Sequence, residues 1–236
     1  MRSFVVIAMF ATSLAYAGWG EYEESRTLTM DSDDIATLSI DAGAGSMDVT
    51  GVEGLDEIVV KATIIVDDGN KDDALKFIEK RMTLSLQETG DTAVLESHFD
   101  SGFMGSGKNA RIDLDVRVPQ GMAVSIIDKS GSIDVTRTMG DVSIDDGSGS
   151  IDVDHVRNVK IDDGSGSIDV SQASGDVFVV DGSGSIGISH VGGSVTIYDG
   201  SGGIRVSDIE KNLTIVDDGS GGVSISDVRG DVEQET

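Results

Sequence analysis

Between Asp128 and the C-terminus one phrase is written six times: an aspartate, a Gly/Ser-rich corner, then apolar, polar, apolar. The copies read IDKSGSIDV, DDGSGSIDV, DDGSGSIDV, VDGSGSIGI, YDGSGGIRV and DDGSGGVSI. The second glycines of the corners, Gly131, Gly149, Gly166, Gly184, Gly202 and Gly221, lie 18, 17, 18, 18 and 19 residues apart. A repeat this short has room for strands and corners but not for a helix, and it cannot bury an apolar face except against copies of itself. The fold class is therefore all-β, a single-chain β-solenoid of roughly 18-residue coils.

The inward register follows from the apolar positions. In the coil opening at Gly140, Val142 and Ile144 point inward, residues 147–150 turn, Ile151 and Val153 point inward again, and Val156 fills a second corner. The next coils repeat this with Val159, Ile161, Ile168, Val170 and Ala173, then Val177, Val179, Ile186, Ile188 and Val191. The pattern predicts two short strands per coil, wound right-handed. Gly140, Gly175, Gly193 and Gly230, with Asn158 in the same role, are read as second-corner residues that need positive φ.

The rest of the chain divides around this column. Residues 1–17 carry Arg2, an apolar run and Ala15-Tyr16-Ala17, the three parts of a secretory signal peptide. Residues 18–119 are less regular and read as an N-terminal cap with a first coil. The phrase LSIDAGAGSMDV supplies that coil, and one short helix runs from Lys71 to Met82, capped by Asn70, with Leu75, Ile78 and Met82 on its inner face. Residues 101–109 read as a loop, and residues 120–236 form the regular solenoid. No second stretch approaches the ~20 apolar residues of a bilayer span. With no cysteine in the chain, disulfides and a lipidated N-terminal Cys are excluded. The expected address is periplasmic or secreted.

A net charge of -26 repels phosphate backbones and anionic lipid, which makes nucleic acid and bare membrane poor partners and cationic surfaces better ones. The same acidity also keeps an exposed strand-rich rod soluble.

The segment VPQGMAVSIIDKSGSIDV, followed by the GDVSIDDGSGSIDV phrases, resembles the bacterial putative-adhesin domain family, a relative of the head-GIN autotransporter adhesins. That family's pattern is a strand ending in Pro-x-Gly and a series of Ser-Gly-x-Ile/Val-x-Val units behind a first coil, to which Met47, Asp48 and Val49 correspond here. The resemblance covers residues 38–231. It implies a β-helical fold, an extracytoplasmic setting and an envelope or surface ligand, and it brings no active site to carry over.

The residue before each corner is an aspartate: Asp128, Asp146, Asp163, Asp181, Asp199 and Asp218. Stacked about 5 Å apart, these carboxylates need compensation. Each can accept amide hydrogen bonds from its own Gly-Ser-Gly corner. Alternatively, with Asp145, Asp162, Asp217 and corner carbonyls they form a row of weak Ca²⁺ sites. No other cofactor is indicated.

Catalytic signals are thin. GFMGSGKN at residues 102–109 matches a phosphate-loop pattern except for Asn109, in an exported chain and ahead of a strand. Arg229-Gly230-Asp231 spells an integrin-binding tripeptide, yet Gly-Asp recurs as coil punctuation at Gly140-Asp141 and Gly175-Asp176. His155 and His190 share a coil position and face solvent without a nucleophile beside them. Arg205 stands where other coils carry Asp134, Asp152, Asp169, Gly187 and Ser224, the one hint of a carbohydrate-cleaving site. The reading is a non-enzymatic exported solenoid, a monomer or small oligomer, acting in adhesion or envelope organisation through its acidic flank. The alternatives are an end-stacking scaffold and a β-helical carbohydrate-active enzyme.

Overall fold

The computed structural model describes residues 20–100 and 109–235. The signal peptide expected at residues 1–17 and all of the 102–109 motif except Asn109 fall outside the described residues. In chain order the elements are β1 (Tyr22–Asp31), β2 (Thr37–Ala42), β3 (Met47–Val52), β4 (Glu57–Val66), α1 (Lys71–Arg81), β5 (Met82–Thr89), β6 (Thr92–Phe99) and β7 (Ala110–Pro119). The repeats contribute β8 (Ala123–Asp128), β9 (Gly131–Thr136), β10 (Val142–Asp146), β11 (Gly149–Val156), β12 (Val159–Asp163), β13 (Gly166–Ala173) and β14 (Val177–Asp181). They continue with β15 (Gly184–Val191), β16 (Val195–Asp199), β17 (Gly202–Ile209), β18 (Leu213–Asp217), β19 (Val223–Val228) and β20 (Val232–Gln234).

Each repeat is one coil of two strands, and the coils stack into two ten-stranded sheets that face each other across the core. The parallel register puts like on like: Ile144 opposite Ile161, and Ile151 opposite Ile168. Ile133, Ile151, Ile161 and Ile168 are completely buried. The period-2 alternation of each strand therefore produces a continuous apolar column, and β-branched side chains fill it because they pack well on a pleated surface. The inward register read from the repeats is the observed one.

The N-terminal region departs from a simple cap. β2 and β3 form a coil that stacks directly on β8 and β9, with Leu38 opposite Val124 and Met47 opposite Ile133. Beyond it lies another coil-like pair, β6 and β7, parallel to β2 and β3 although it comes later in the chain. Sequence order and stacking order thus differ, and the parallel stack runs on through β2 and β3 into β6 and β7. The stack ends where polarity reverses: β4 is antiparallel to β7, β5 antiparallel to β6, and β1 antiparallel to β4. The helix joins β4 to β5. Its first turn is capped by the Asn70 side chain, which accepts from the backbone N–H of Asp72 at 3.0 Å. It buries Ala74 and Ile78 rather than Leu75 and Met82, because it ends at Arg81 and Met82 already belongs to a strand. Phe77 stacks on Phe99 with ring centroids 5.5 Å apart.

The glycines of the first corner take positive φ as their sequence suggests, and those of the second corner do not. Gly131, Gly149, Gly166, Gly184 and Gly202 have φ between 145° and 157°, and a Cβ on any of them would run into the carbonyl oxygen of the glycine one coil earlier. This column tolerates no side chain. At the second corner the positive φ belongs to non-glycine residues in register, Arg137, His155, Gln172, His190, Asp208 and Asp227, with φ between 53° and 57°. Gly140, Gly175 and Gly193 serve close approach to the preceding coil instead. Asn158 is not their counterpart. It lies one residue further on, beside Val159, where its Nδ2 donates to Asp141 at 2.8 Å and its Oδ1 accepts the Asp176 N–H at 2.9 Å.

Candidate functional site

Two columns of aspartates arise from the alternation, one facing in and one facing out. At the inner column, the last residue of each short strand turns toward the core just before the glycine corner. Asp128, Asp146, Asp163, Asp181 and Asp199 are 5, 3, 2, 3 and 1% exposed. They stand opposite one another from coil to coil. The Oδ1 atoms of Asp146, Asp163, Asp181 and Asp199 accept the backbone N–H two residues on, from Ser148, Ser165, Ser183 and Ser201, at 2.9–3.3 Å. This is the Asx turn expected from the corner sequence. On all five residues Oδ2 is buried without a hydrogen-bond partner.

Burial raises the pKa of every member, and neighbouring carboxylates add to it. Asp128 is pushed up to about 6 by burial and then by Asp146. Asp181 also reaches about 6, through burial and the charges of Asp163 and Asp199, against a hydrogen bond from Ser183 that lowers it. Asp146, Asp163 and Asp199 move the same way for the same first reason.

Asp218 does not join them. The last corner holds one residue more, the strand pairing shifts after Ile197, and Tyr198 faces Asp217. Asp217 makes the Asx turn, accepting the Gly219 N–H at 2.9 Å, while Asp218 accepts from Gln234 Nε2 at 2.8 Å. The 19-residue final spacing was the sequence signal for this slip. Asp145 and Asp162, considered as additional calcium ligands, are exposed on the outer face. Among the described residues no three His, Asp or Glu side chains come together as a group able to hold a metal ion.

The outer column lies on the other sheet. Asp115, Asp48, Asp134, Asp152 and Asp169 follow one another in register across β7, β3, β9, β11 and β13. The row continues into Gly187 and Arg205, and Lys61 stands opposite Asp115 at its other end. Partial burial, then the charges of Asp152 and Asp48, raise the pKa of Asp134; partial burial and Asp169 raise that of Asp152. The repeats alone reveal three of these residues. Asp48 extends the row from the first coil, whose SMDV phrase matches the repeats, and Asp115 joins it only because β7 stacks out of chain order.

Other sequence candidates are placed as follows. His155 Nδ1 lies 2.5 Å from Asp154 Oδ2, and Ser171 Oγ donates to Oδ1 of the same carboxylate. Burial works to raise the Asp154 pKa, but these two bonds outweigh it and hold it below the ordinary value. The carboxylate sits between serine and imidazole, so the histidine does not contact the serine as a general base must. His190 lies 3.7 Å from Asp208, one coil on. Arg229 is paired with Glu210, and its backbone N–H donates to Ile209, so the tripeptide at residues 229–231 is a stretch of coil. Arg205 borders a shallow notch of about 220 Å³ over Gly187, with Asp169 on the opposite side.

Two facing parallel sheets of stacked coils, closed at one end by an antiparallel reversal, define a β-solenoid. The Toastrack DUF4097 family matches residues 35–233, and the chain belongs to that family. No curated protein matches it. Among solved structures it is similar to a putative adhesin from Bacteroides fragilis, with a TM-score of 0.48 and 11% identity over 89% of this chain and 97% of that one. It is also similar to a putative lipid binding protein from Parabacteroides distasonis, with a TM-score of 0.41 and 14% identity over 89% and 94% of the two chains. A putative cell adhesion protein from Clostridium sporogenes gives a TM-score of 0.39 and 13% identity over 90% and 100%. Among the described residues no helix is long and apolar enough to cross a membrane.

Proposed function

We propose that this chain is a non-enzymatic, exported module of the cell envelope that binds a cationic partner surface through its outer aspartate row. The observation that carries this reading is the register of Asp115, Asp48, Asp134, Asp152 and Asp169, five carboxylates in one row on the outer face of a sheet. Strand spacing sets them about 4.8 Å apart, a fixed array that complements a surface of amines or guanidinium groups better than flexible acidic loops do, because its geometry is already organised. Asp115 has an ion-pair neighbour, Arg117, at 3.8 Å; the register gives Asp48, Asp134 and Asp152 only aspartate neighbours within the row.

Co-sedimentation with isolated bacterial envelopes tests this. The purified chain is expected in the pellet at low salt and in the supernatant at high salt, since paired surface charges are screened. The Asp48→Asn, Asp134→Asn, Asp152→Asn variant is expected to stay in the supernatant at both. Equal pelleting of the variant and the parent would refute the row as the binding face.

A further inference from the structure

The inner column has a property that neither the corner geometry nor the proposed binding face requires. An Asx turn uses one side-chain oxygen, and asparagine would supply it without charge. Five coils instead place a carboxyl group there, with the second oxygen buried and unpartnered on Asp128, Asp146, Asp163, Asp181 and Asp199. A buried anion without a compensating bond is costly, and a run of them one coil apart adds mutual repulsion to the desolvation of each. A proton on Oδ2 removes both costs. It neutralises the group and turns Oδ2 from an acceptor into a donor.

We propose that this column is a proton-binding array, filled while the chain is folded at mildly acidic pH and emptied into solvent when it unfolds. The step involves only proton transfer. Each filled site is a carboxylic acid in the solenoid and becomes a carboxylate plus a hydrated proton in the open chain.

The surroundings leave protons as the means of neutralisation. Lys129 acts on Asp128 from the corner. The other charges acting on the column are aspartates: Asp145 on Asp146, Asp162 on Asp163, and Asp217 with Asp218 on Asp199. Across the core the facing strands present apolar side chains, among them Ile133, Ile151, Ile168, Ile186 and Ile204. Above Asp128 the column continues into Ala42 and Ser97 of the out-of-order coils, which carry no charge. The raised pKa values of all five members agree with this arrangement.

The test is a ¹³C NMR titration of aspartate carboxyl resonances on the intact chain, from alkaline to acidic pH. The proposal predicts a set of carboxyls with midpoints well above the ordinary aspartate value, separate from the surface set. In the Asp146→Asn, Asp163→Asn, Asp181→Asn variant three members of that set disappear. Single Asp163→Asn provides the same readout with one resonance lost if the triple variant does not fold. Titration of every aspartate near its ordinary value in the parent chain would overturn the proposal. So would persistence of the whole high-midpoint set in the variants. Displacement of these resonances by calcium at fixed pH, without elevated midpoints, would assign the column to a cation and overturn it as well.

Discussion

Asp146 and Asp163 stand directly opposite each other on adjacent parallel strands, 3% and 2% exposed, and each keeps one carboxyl oxygen without a partner. On the other sheet of the same two coils, Asp152 and Asp169 form the same kind of pair in solvent. The same residue type at the same period therefore serves two environments, one buried and one exposed.

The inner pairs set a pH dependence of stability. A carboxyl whose folded pKa is raised contributes stability that is fully present below its unfolded value and is lost as pH rises through its folded value. For Asp128 and Asp181, moved from 3.8 to about 6, the loss above that range is on the order of 3 kcal/mol each. Asp141 and Asp154 act oppositely. Their pKa values are lowered, Asp141 chiefly by Arg157 and Asp154 by hydrogen bonds that overcome its burial, so their contribution fades only below the ordinary aspartate range. Thermal melts followed by circular dichroism are expected to show the melting temperature rising from pH 8 to pH 5, then falling at stronger acid. In the Asn triple variant of the inner column the rise flattens.

The glycine column predicts a sharp contrast between two substitutions. Gly166→Ala meets both a φ of +154° and the Gly149 carbonyl, which is backbone and cannot swing aside. Gly121→Ala meets only a φ of +98° with open space around it. The second is expected to cost about 1–2 kcal/mol, and the first substantially more, with loss of native pairing between β11 and β13. Urea denaturation of the two variants, with amide exchange on the folded fraction, measures the difference.

Ile168 is fully buried between Ile151 and Ile186. Ile168→Val is expected to cost about 1 kcal/mol. Ile168→Asp places an uncompensated charge in the column and is expected to cost more than about 3 kcal/mol. Equal denaturation midpoints for the two would mean that the inward register is wrong.

The repeat made much of this legible. The fold class, the inward residues, the Asx corners and the cap of the helix all follow from spacing, alternation and turn chemistry, which are local. What escaped was non-local. Nothing in residues 92–119 states that β6 and β7 stack beyond β2 and β3, so the extension of the outer aspartate row to Asp115 stayed hidden. The second corner was misread because glycine is the usual bearer of positive φ, whereas here His155, Gln172 and their equivalents adopt it and Gly175 is held by a close backbone approach. The inward aim of the pre-corner aspartates was also missed, although period 2 counted from Ile144 places Asp146 on the same face.

Coil modularity gives a prediction about the whole rod. Residues 149–165 make one complete coil, since Gly149 lies opposite Gly166. Their deletion is expected to leave a folded protein shortened by about 4.8 Å, as measured by small-angle scattering with circular dichroism as the check on folding. Wholesale unfolding would count against nearest-neighbour stacking.

Binding to immobilised polylysine tests the functional account most directly, with two variants that change formal charge equally. Asp48→Asn, Asp134→Asn, Asp152→Asn alters the outer row. Asp34→Asn, Glu53→Gln, Asp56→Asn alters three exposed acids away from it. The account predicts that the row variant loses at least about tenfold in affinity, or about 1.4 kcal/mol, while the second variant stays within about twofold of the parent. Equal losses in the two would show that net charge alone governs binding and would contradict the aspartate row as a site.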